Sequence, residues 1–315
     1  MKEKTTALKI KAPASASYFR RSWMLYLMLV LPMTFFIVFR YVPMTNIVIA
    51  FKDYNIFQGV WSSGSPWVGF KWFQNTFQSA GFWLALRNTI MLNLLDLIVG
   101  FPAPIILALI LNELVFKRYK KLTQTIIYLP HFLSWIVISS IATRLLAPST
   151  GVVNIFITGT FGIEPIDFLM NRVNWVITYI LFGVWKEMGW GTIIYLAAIT
   201  SINPELYEAA EVDGAGRWRK LWHITLPGIR PTIVILLVLS IGRILGSEFD
   251  RPFTMANRVV MDVADVIATL VYRVGIRSFQ FSLTAAIGLF QSVVCVIFLI
   301  GANTLAKKFG ERGIW

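Results

Sequence analysis

Ser201–Pro231 reads SINPELYEAAEVDGAGRWRKLWHITLPGIRP, a charged, glycine-broken stretch set between two apolar runs, Val176–Ala198 and Thr232–Leu245. Its local chemistry predicts two short helices joined by a turn. Asn203 suits an N-cap and Pro204 the first helical position. Ile202 and Tyr207 occupy the two positions of a hydrophobic staple, and Glu205 complements the positive start of the helix. Leu206, Ala209, Ala210 and Asp213 fall near one face at helical spacing. Gly214 and Gly216 end that helix, and Arg217–Ile224 resumes it with Trp218 and Trp222 four residues apart. Pro227 is expected to break the second helix before the next apolar run. On physics alone, such a hairpin lies on lipid headgroups through its tryptophans.

The chain around this stretch is too apolar for a soluble fold. Of 315 residues, 57% are hydrophobic and 14% charged, against about 45–50% and about 25% in an ordinary soluble domain. Mean hydropathy is +0.66. A soluble protein cannot keep that much apolar side chain off its surface, and disordered, collagenous, coiled-coil and disulfide-scaffold classes are excluded with it. The expected fold is all-α, a polytopic membrane protein. Six segments approach the length of about 20 residues that a span needs: Trp23–Val42, Ile90–Leu111, Ile126–Leu146, Val176–Ala198, Thr232–Leu245 with extensions, and Leu283–Thr304. The first is too long for a cleavable signal peptide and has no small-residue cleavage site after it. The lone cysteine, Cys295, lies in an apolar run and implies no thiol chemistry.

Basic residues set the orientation. The formal charge of +13 would suggest nucleic acid in a soluble protein; here it marks the cytoplasmic ends of spans, and no nucleic-acid partner is expected. Lys2, Lys4, Lys9, Lys11, Arg20 and Arg21 precede the first span, Lys117, Arg118, Lys120 and Lys121 link the second and third, and Lys307, Lys308 and Arg312 end the chain. Together with Arg217, Arg219, Lys220 and Arg230 these fall on one side of a six-span, N-in/C-in topology. Pro43–Asn88, Ala147–Asn174 and Gly246–Phe281 fall on the other and are nearly charge-balanced. The organisation expected is a cytoplasmic basic tail (1–22), a single transmembrane domain (23–306) containing the cytoplasmic loop 201–231, and a cytoplasmic tail (307–315).

The spacing within the loop is more specific than a generic hairpin. Glu208-Ala209-Ala210, three residues, Gly214, nine residues, Ile224, one residue and Leu226-Pro227 match the form EAA-x3-G-x9-I-x-LP at all seven named positions. The loop resembles the EAA loop of importer permeases of the ATP-binding-cassette (ABC) superfamily, and it lies where theirs lies, ahead of the last two spans. Phe182–Ile199 and the ending Gly310–Trp315 look like the carbohydrate branch, in particular permeases paired with lipoprotein receptors for complex oligosaccharides and polysaccharide fragments. Glu248-Phe249-Asp250-Arg251 looks like that branch's NFDQ-type segment, with Glu for Asn and Arg for Gln. The resemblance implies a binding-protein-dependent importer permease of the bacterial cytoplasmic membrane, working with a second, homologous permease. Two cytoplasmic ATPases would dock on the EAA loops, and an extracellular or lipoprotein solute-binding protein would deliver an oligosaccharide. ATP and Mg would sit on the partner ATPase, because this sequence holds no G-x4-G-K-[ST] phosphate loop. The residues implied in ATPase coupling are Glu208, Ala209, Ala210, Gly214, Ile224, Leu226 and Pro227. A peptide or amino-acid substrate is the alternative within the family.

Two other classes fit less well. A membrane enzyme needs clustered catalytic groups, yet His131 and His223 are far apart and at no ligand spacing, so no catalytic, cofactor or metal residues are expected. His131 reads as a helix-packing histidine. A stand-alone secondary transporter needs intramembrane ionisable groups, for which Asp96, Lys186 and Glu187 are candidates, but no inverted repeat is apparent. Lys186 and Glu187 stand mid-span, where a charge costs about 2.5–3.5 kcal/mol on insertion scales. Adjacent helical residues point about 100° apart, so Lys186 shares a face with Trp190, and Glu187 with Gly183 and Gly191. One reading pairs Glu187 with a base on another span, such as Arg243. The other makes Lys186, Glu187 and Trp190 part of a substrate pathway, with the Lys186–Trp190 face lining a cavity suited to the C–H faces and hydroxyls of a sugar.

The topology is checked by labelling single cysteines in a Cys295→Ala background. A cysteine near Ser63 should react from outside only and one in Lys117–Lys121 from the cytoplasm only; the reverse pattern contradicts the assignment.

Overall fold

The computed structural model describes residues 15–308, apart from 115 and 247, together with 310, 313 and 314. Lys2, Lys4, Lys9, Lys11 and Arg312 of the basic tails lie outside the described residues. Among those described, the chain is helical, and the only extended pairing is an isolated bridge between Lys52 and Trp67.

The first long helix, Ser22–Phe51, runs 30 residues, and its most apolar window buries none of its side chains in the rest of the chain. It passes the expected end at Val42 and takes in Pro43. The second, Ala80–Asn112, runs 33 residues; it starts earlier than expected because Ser79 caps it, accepting from the Phe82 N–H at 3.4 Å. The third expected span is corrected by the structure. Arg118–Phe132 and Trp135–Leu145 are separate helices meeting at 102°, with Leu133 extended between them and Ser134 capping the second half. Arg172–Thr200 follows as one helix of 29 residues. The hairpin leads into Arg217–Gly242, 26 residues, and the chain ends in Phe281–Lys308, 28 residues.

Pro227 does not break its helix, contrary to expectation. A π turn, Leu221–Thr225, stands immediately before it, and the Leu226 N–H reaches back to the Leu221 carbonyl. The same device recurs twice. The π turn Ile37–Tyr41 precedes Pro43, and Asp96–Gly100 precedes Pro102. In each case the residue just before proline donates five residues back. A wider turn moves aside the carbonyl that the pyrrolidine ring would otherwise strike, so the helix continues through a residue that lacks an N–H.

Four helices are long and apolar enough to cross a membrane, and the bent pair makes a fifth. Arg172–Thr200 is not among these on apolarity, although at 29 residues and about 1.5 Å per residue it has ample length. The count of six is reached when it and the bent pair both cross. This helix, with Lys186 and Glu187 at its middle, is the axis of the packing. Near its start, Trp175 and Tyr179 pack with Leu92, Trp135, Ile138 and Met255. Near its end, Tyr195 and Ile199 pack with Ala108 and Ile229. A third cluster joins Phe82 and Leu86 to Leu245, Ile267, Leu270 and Ile287. The short helices Asp250–Met255, Met261–Ala264 and Ile267–Val271 cover the end remote from the hairpin, where Arg172 pairs with Asp262 at 2.8 Å.

Candidate functional site

Two places gather the residues singled out in the sequence. The first is a polar cluster around the middle of Arg172–Thr200. Arg251, on the short helix Asp250–Met255, points inward and is only 6% exposed. Its guanidinium grips Asp96 of the second long helix, with Nη1 to Oδ2 at 2.6 Å and Nη2 to Oδ1 at 3.2 Å. It also donates to the Tyr179 carbonyl and lies over the Tyr179 ring with Cζ 3.7 Å from the centroid. Room for it comes from Gly183, where a Cβ would collide with the guanidinium. Trp135 flanks the pair and donates from its indole to Glu248 at 3.0 Å. This fork-to-fork contact with a carboxylate is the arrangement in which a buried arginine is best offset.

One turn further along, Lys186 is buried and donates to the His131 carbonyl at 2.8 Å, with Glu187 3.2 Å away. That carbonyl stands free because the chain breaks just after it, between the two halves of the bent pair. Glu187 also meets His131 Nδ1 at 3.0 Å, and the imidazole stacks on Trp190 at 4.6 Å with the planes 4° apart. So Lys186 and Glu187, though about 100° apart around the helix, converge through their long side chains. Glu187 takes His131 and Lys186 as partners, not Arg243. Trp190 is half-exposed while Lys186 is buried, so the face they share has an inner and an open edge. His131 packs on Trp190 with its ring satisfied by Glu187, and through its ring and carbonyl it touches Lys186, Glu187 and Trp190.

The second place is the hairpin. Asn203 caps Pro204–Val212, accepting from the Glu205 N–H at 3.1 Å. Gly214 takes φ +73°, a left-handed conformation that a side chain would strain. Its two arms are tied by the Tyr207 hydroxyl to Thr225 Oγ1 at 2.9 Å and by Lys220 to Glu211 at 2.6 Å. The hydrogen bond from Lys220 holds the Glu211 carboxyl below the usual glutamate range. Glu208 and Ala209 are exposed, and so are Leu206, Val212 and Trp218, Val212 at 89%. Ile224, Leu226 and Pro227 lie on the second arm, where it has already become the Arg217–Gly242 helix. The hairpin presents an exposed tip of mixed charge and apolar side chains, and its second arm is continuous with a membrane-length helix.

Sequence reasoning did not join Asp96 to Arg251, or bring Trp135, Tyr179 and Glu248 to the cluster. A usable signal was present: Asp96 is a lone carboxylate in an apolar run, which calls for a cationic partner, and Arg251 lies outside the basic loops. Among the described residues no group of three or more His, Cys, Asp and Glu side chains is placed to hold a metal.

Residues 100–310 match the model of the family described as binding-protein-dependent transport system inner membrane component. The chain is 48% identical over 291 residues to the polygalacturonan/rhamnogalacturonan transport system permease protein YteP of Bacillus subtilis (strain 168), covering 92% of this chain and 90% of that one. It is 46% identical to Protein LplB of the same organism, covering 94% of this chain and 92% of that one. A solved chain superposes with TM-score 0.85 at 40% identity, covering 95% of this chain and 99% of its own; it belongs to the crystal structure of a bacterial alginate ABC transporter in complex with alginate pentasaccharide-bound periplasmic protein.

The Asp96–Arg251 contact makes a stability prediction. Asp96→Ala or Arg251→Met alone strands a buried charge or its partner, and each should cost about 3–5 kcal/mol. The double variant should cost less than the sum by about 2 kcal/mol or more. Denaturation in mixed detergent micelles measures this; strictly additive losses would show that the two groups are not coupled.

Proposed function

The chain belongs to the family of binding-protein-dependent transport system inner membrane components, and on that premise we propose that it is the permease subunit of an ABC importer for oligosaccharides in a bacterial cytoplasmic membrane. The observation that carries the reading is the hairpin. All seven EAA positions lie on one projecting unit, whose second arm continues without a break into the 26-residue helix Arg217–Gly242. A push on the tip is thereby a push on a span. The similarity to YteP and to the alginate transporter chain supports a saccharide as the transported solute.

In this reading a second, homologous permease completes the pathway, two cytoplasmic ATPases bind ATP and Mg and dock on the two hairpins, and an external solute-binding protein delivers the sugar. With the N-in/C-in orientation expected from the basic residues, the hairpin lies on the ATPase side. Exposed Ala209 and Val212 give the tip an apolar surface of small relief, and Glu208 offers a charge-assisted hydrogen bond to the ATPase. Lys186, Glu187 and Trp190, with His131, form the wall of the pathway: Trp190 offers an aromatic face to sugar C–H groups, and Glu187 offers a hydroxyl acceptor. Lys186 is spent on the His131 carbonyl and Glu187, so its part is to hold that wall in shape.

The test is uptake of labelled oligosaccharide into proteoliposomes holding the full complex, with ATP inside and receptor outside. ATP-dependent accumulation is expected; uptake without ATPase subunits would contradict the reading. In the same assay Glu208→Lys or Gly214→Asp should lower uptake about tenfold or more, as loss of an interface hot spot does, while the chain still inserts. Normal uptake in both would remove the coupling role. For the pathway, Trp190→Ala should lower uptake while the complex still assembles, and Lys186→Met should do the same by releasing Glu187 and the break at His131. If both transport normally, or fail only because assembly fails, the pathway assignment is wrong.

A further inference from the structure

A pocket of about 330 Å³ opens at the end of the molecule remote from the hairpin. It is built by 250–277, the segment that joins the last two long helices. Phe253 and Tyr272, packed edge to face at 5.3 Å, form an aromatic wall. Arg258, Arg273 and Arg277 line the rest, and the one acidic side chain among the lining residues is Asp265.

That acid is already committed. Asp265 is buried and receives Arg273 at both oxygens, Nη1 to Oδ1 at 3.0 Å and Nη2 to Oδ2 at 2.6 Å, with Thr269 Oγ1 donating at 2.8 Å. Its charge is cancelled, and its effect is to fix the Arg273 side chain, still 41% exposed, on the pocket wall. Arg277 is steered by the Tyr272 ring, with Cζ 5.4 Å from the centroid. Arg258 is exposed and rides on a turn that Asn257 pins, donating to the Leu169 carbonyl at 2.7 Å and accepting from the Val259 N–H at 3.0 Å. After the Arg273–Asp265 pair is discounted, two guanidinium groups remain beside an aromatic wall. Guanidinium forks match carboxylates in shape and charge, and an aromatic ring suits the apolar face of a pyranose.

We propose that this pocket is an entry subsite for acidic saccharide units: Arg258 and Arg277 bind the carboxylate of a uronate, and Tyr272 and Phe253 hold its ring. The proposal rests on the oligosaccharide-importer reading and narrows it to uronate-bearing chains. The contrast with the central cluster supports the placement. There, the two buried cations, Lys186 and Arg251, are both engaged by carboxylates, and Arg243 shares a pocket with Asp96.

The experiment compares labelled trigalacturonate with the same trisaccharide after its carboxylates are reduced to alcohols, using the full transporter in lipid nanodiscs without receptor. Binding to the wild type should favour trigalacturonate about tenfold or more, the worth of one charge-assisted hydrogen-bonded contact. Arg258→Gln with Arg277→Gln should abolish that preference. Arg258→Lys with Arg277→Lys, which keeps the charges and loses the forks, should restore part of it. Arg273 is left in place because it holds Asp265. Equal affinity of the wild type for both sugars, or a preference that survives in the glutamine pair, overturns the proposal. If the preference is seen only with receptor present and the glutamine pair loses receptor docking for both sugars, the arginines serve the receptor and the proposal falls. Failure of the broader reading shows separately, as proteoliposomes that accumulate neither sugar.

Discussion

Everything at the centre of this molecule depends on keeping one arginine out of lipid. Arg251 is buried among apolar helices, where an unpaired charge would cost several kcal/mol or more. Its contact with Asp96 joins the segment 250–255 to the second long helix, and its contacts with Tyr179 join both to Arg172–Thr200. Three elements distant in sequence are therefore held at one point. The requirement also explains the glycine at 183, since any side chain there would displace the cation. Lys186 meets the same requirement differently. It finds a carbonyl freed by the break after His131, so the bend of 102° in the third segment is also the solution to a buried lysine.

The second organising feature concerns how helices pass their prolines. Three times a π turn ends just before a proline, and three times the helix carries on. At Leu221–Thr225 this makes the second arm of the hairpin and the Arg217–Gly242 helix one continuous element. A break at Pro227 would have let the hairpin swivel freely. The ties from Tyr207 to Thr225 and from Lys220 to Glu211 stiffen the unit further. Among the ways a helix can contain proline, the widened turn conserves continuity at the cost of one ordinary backbone bond.

Much of this was legible in residues alone. Apolarity gave the all-helical membrane class, and the seven spaced residues from Glu208 to Pro227 gave the hairpin and the family. The Asn203 cap, the Pro204 start and the Gly214 turn appear as read, because caps and left-handed turns depend on one or two residues. What depends on partners far along the chain was not legible. Hydropathy over Ile126–Leu146 is continuous, and the break between His131 and Trp135 follows from what Lys186 and Ser134 accept or donate. Likewise helical geometry placed Lys186 and Glu187 on different faces, yet their side chains are long enough to meet around the helix. The polar middle of Arg172–Thr200 disguised a helix that is central to the packing, since its polar groups are satisfied by neighbours no local window contains.

The account stands on Asp96 and Arg251 being a charged pair rather than a neutral contact. Isotope-edited infrared spectroscopy of the purified complex at neutral pH, comparing the wild type with Asp96→Asn, measures this directly. An ionised-carboxylate band present in the wild type and absent in the variant is the predicted result. A protonated carboxylic-acid band lost in its place would show that Asp96 is neutral, and the ion-paired core described here would be contradicted.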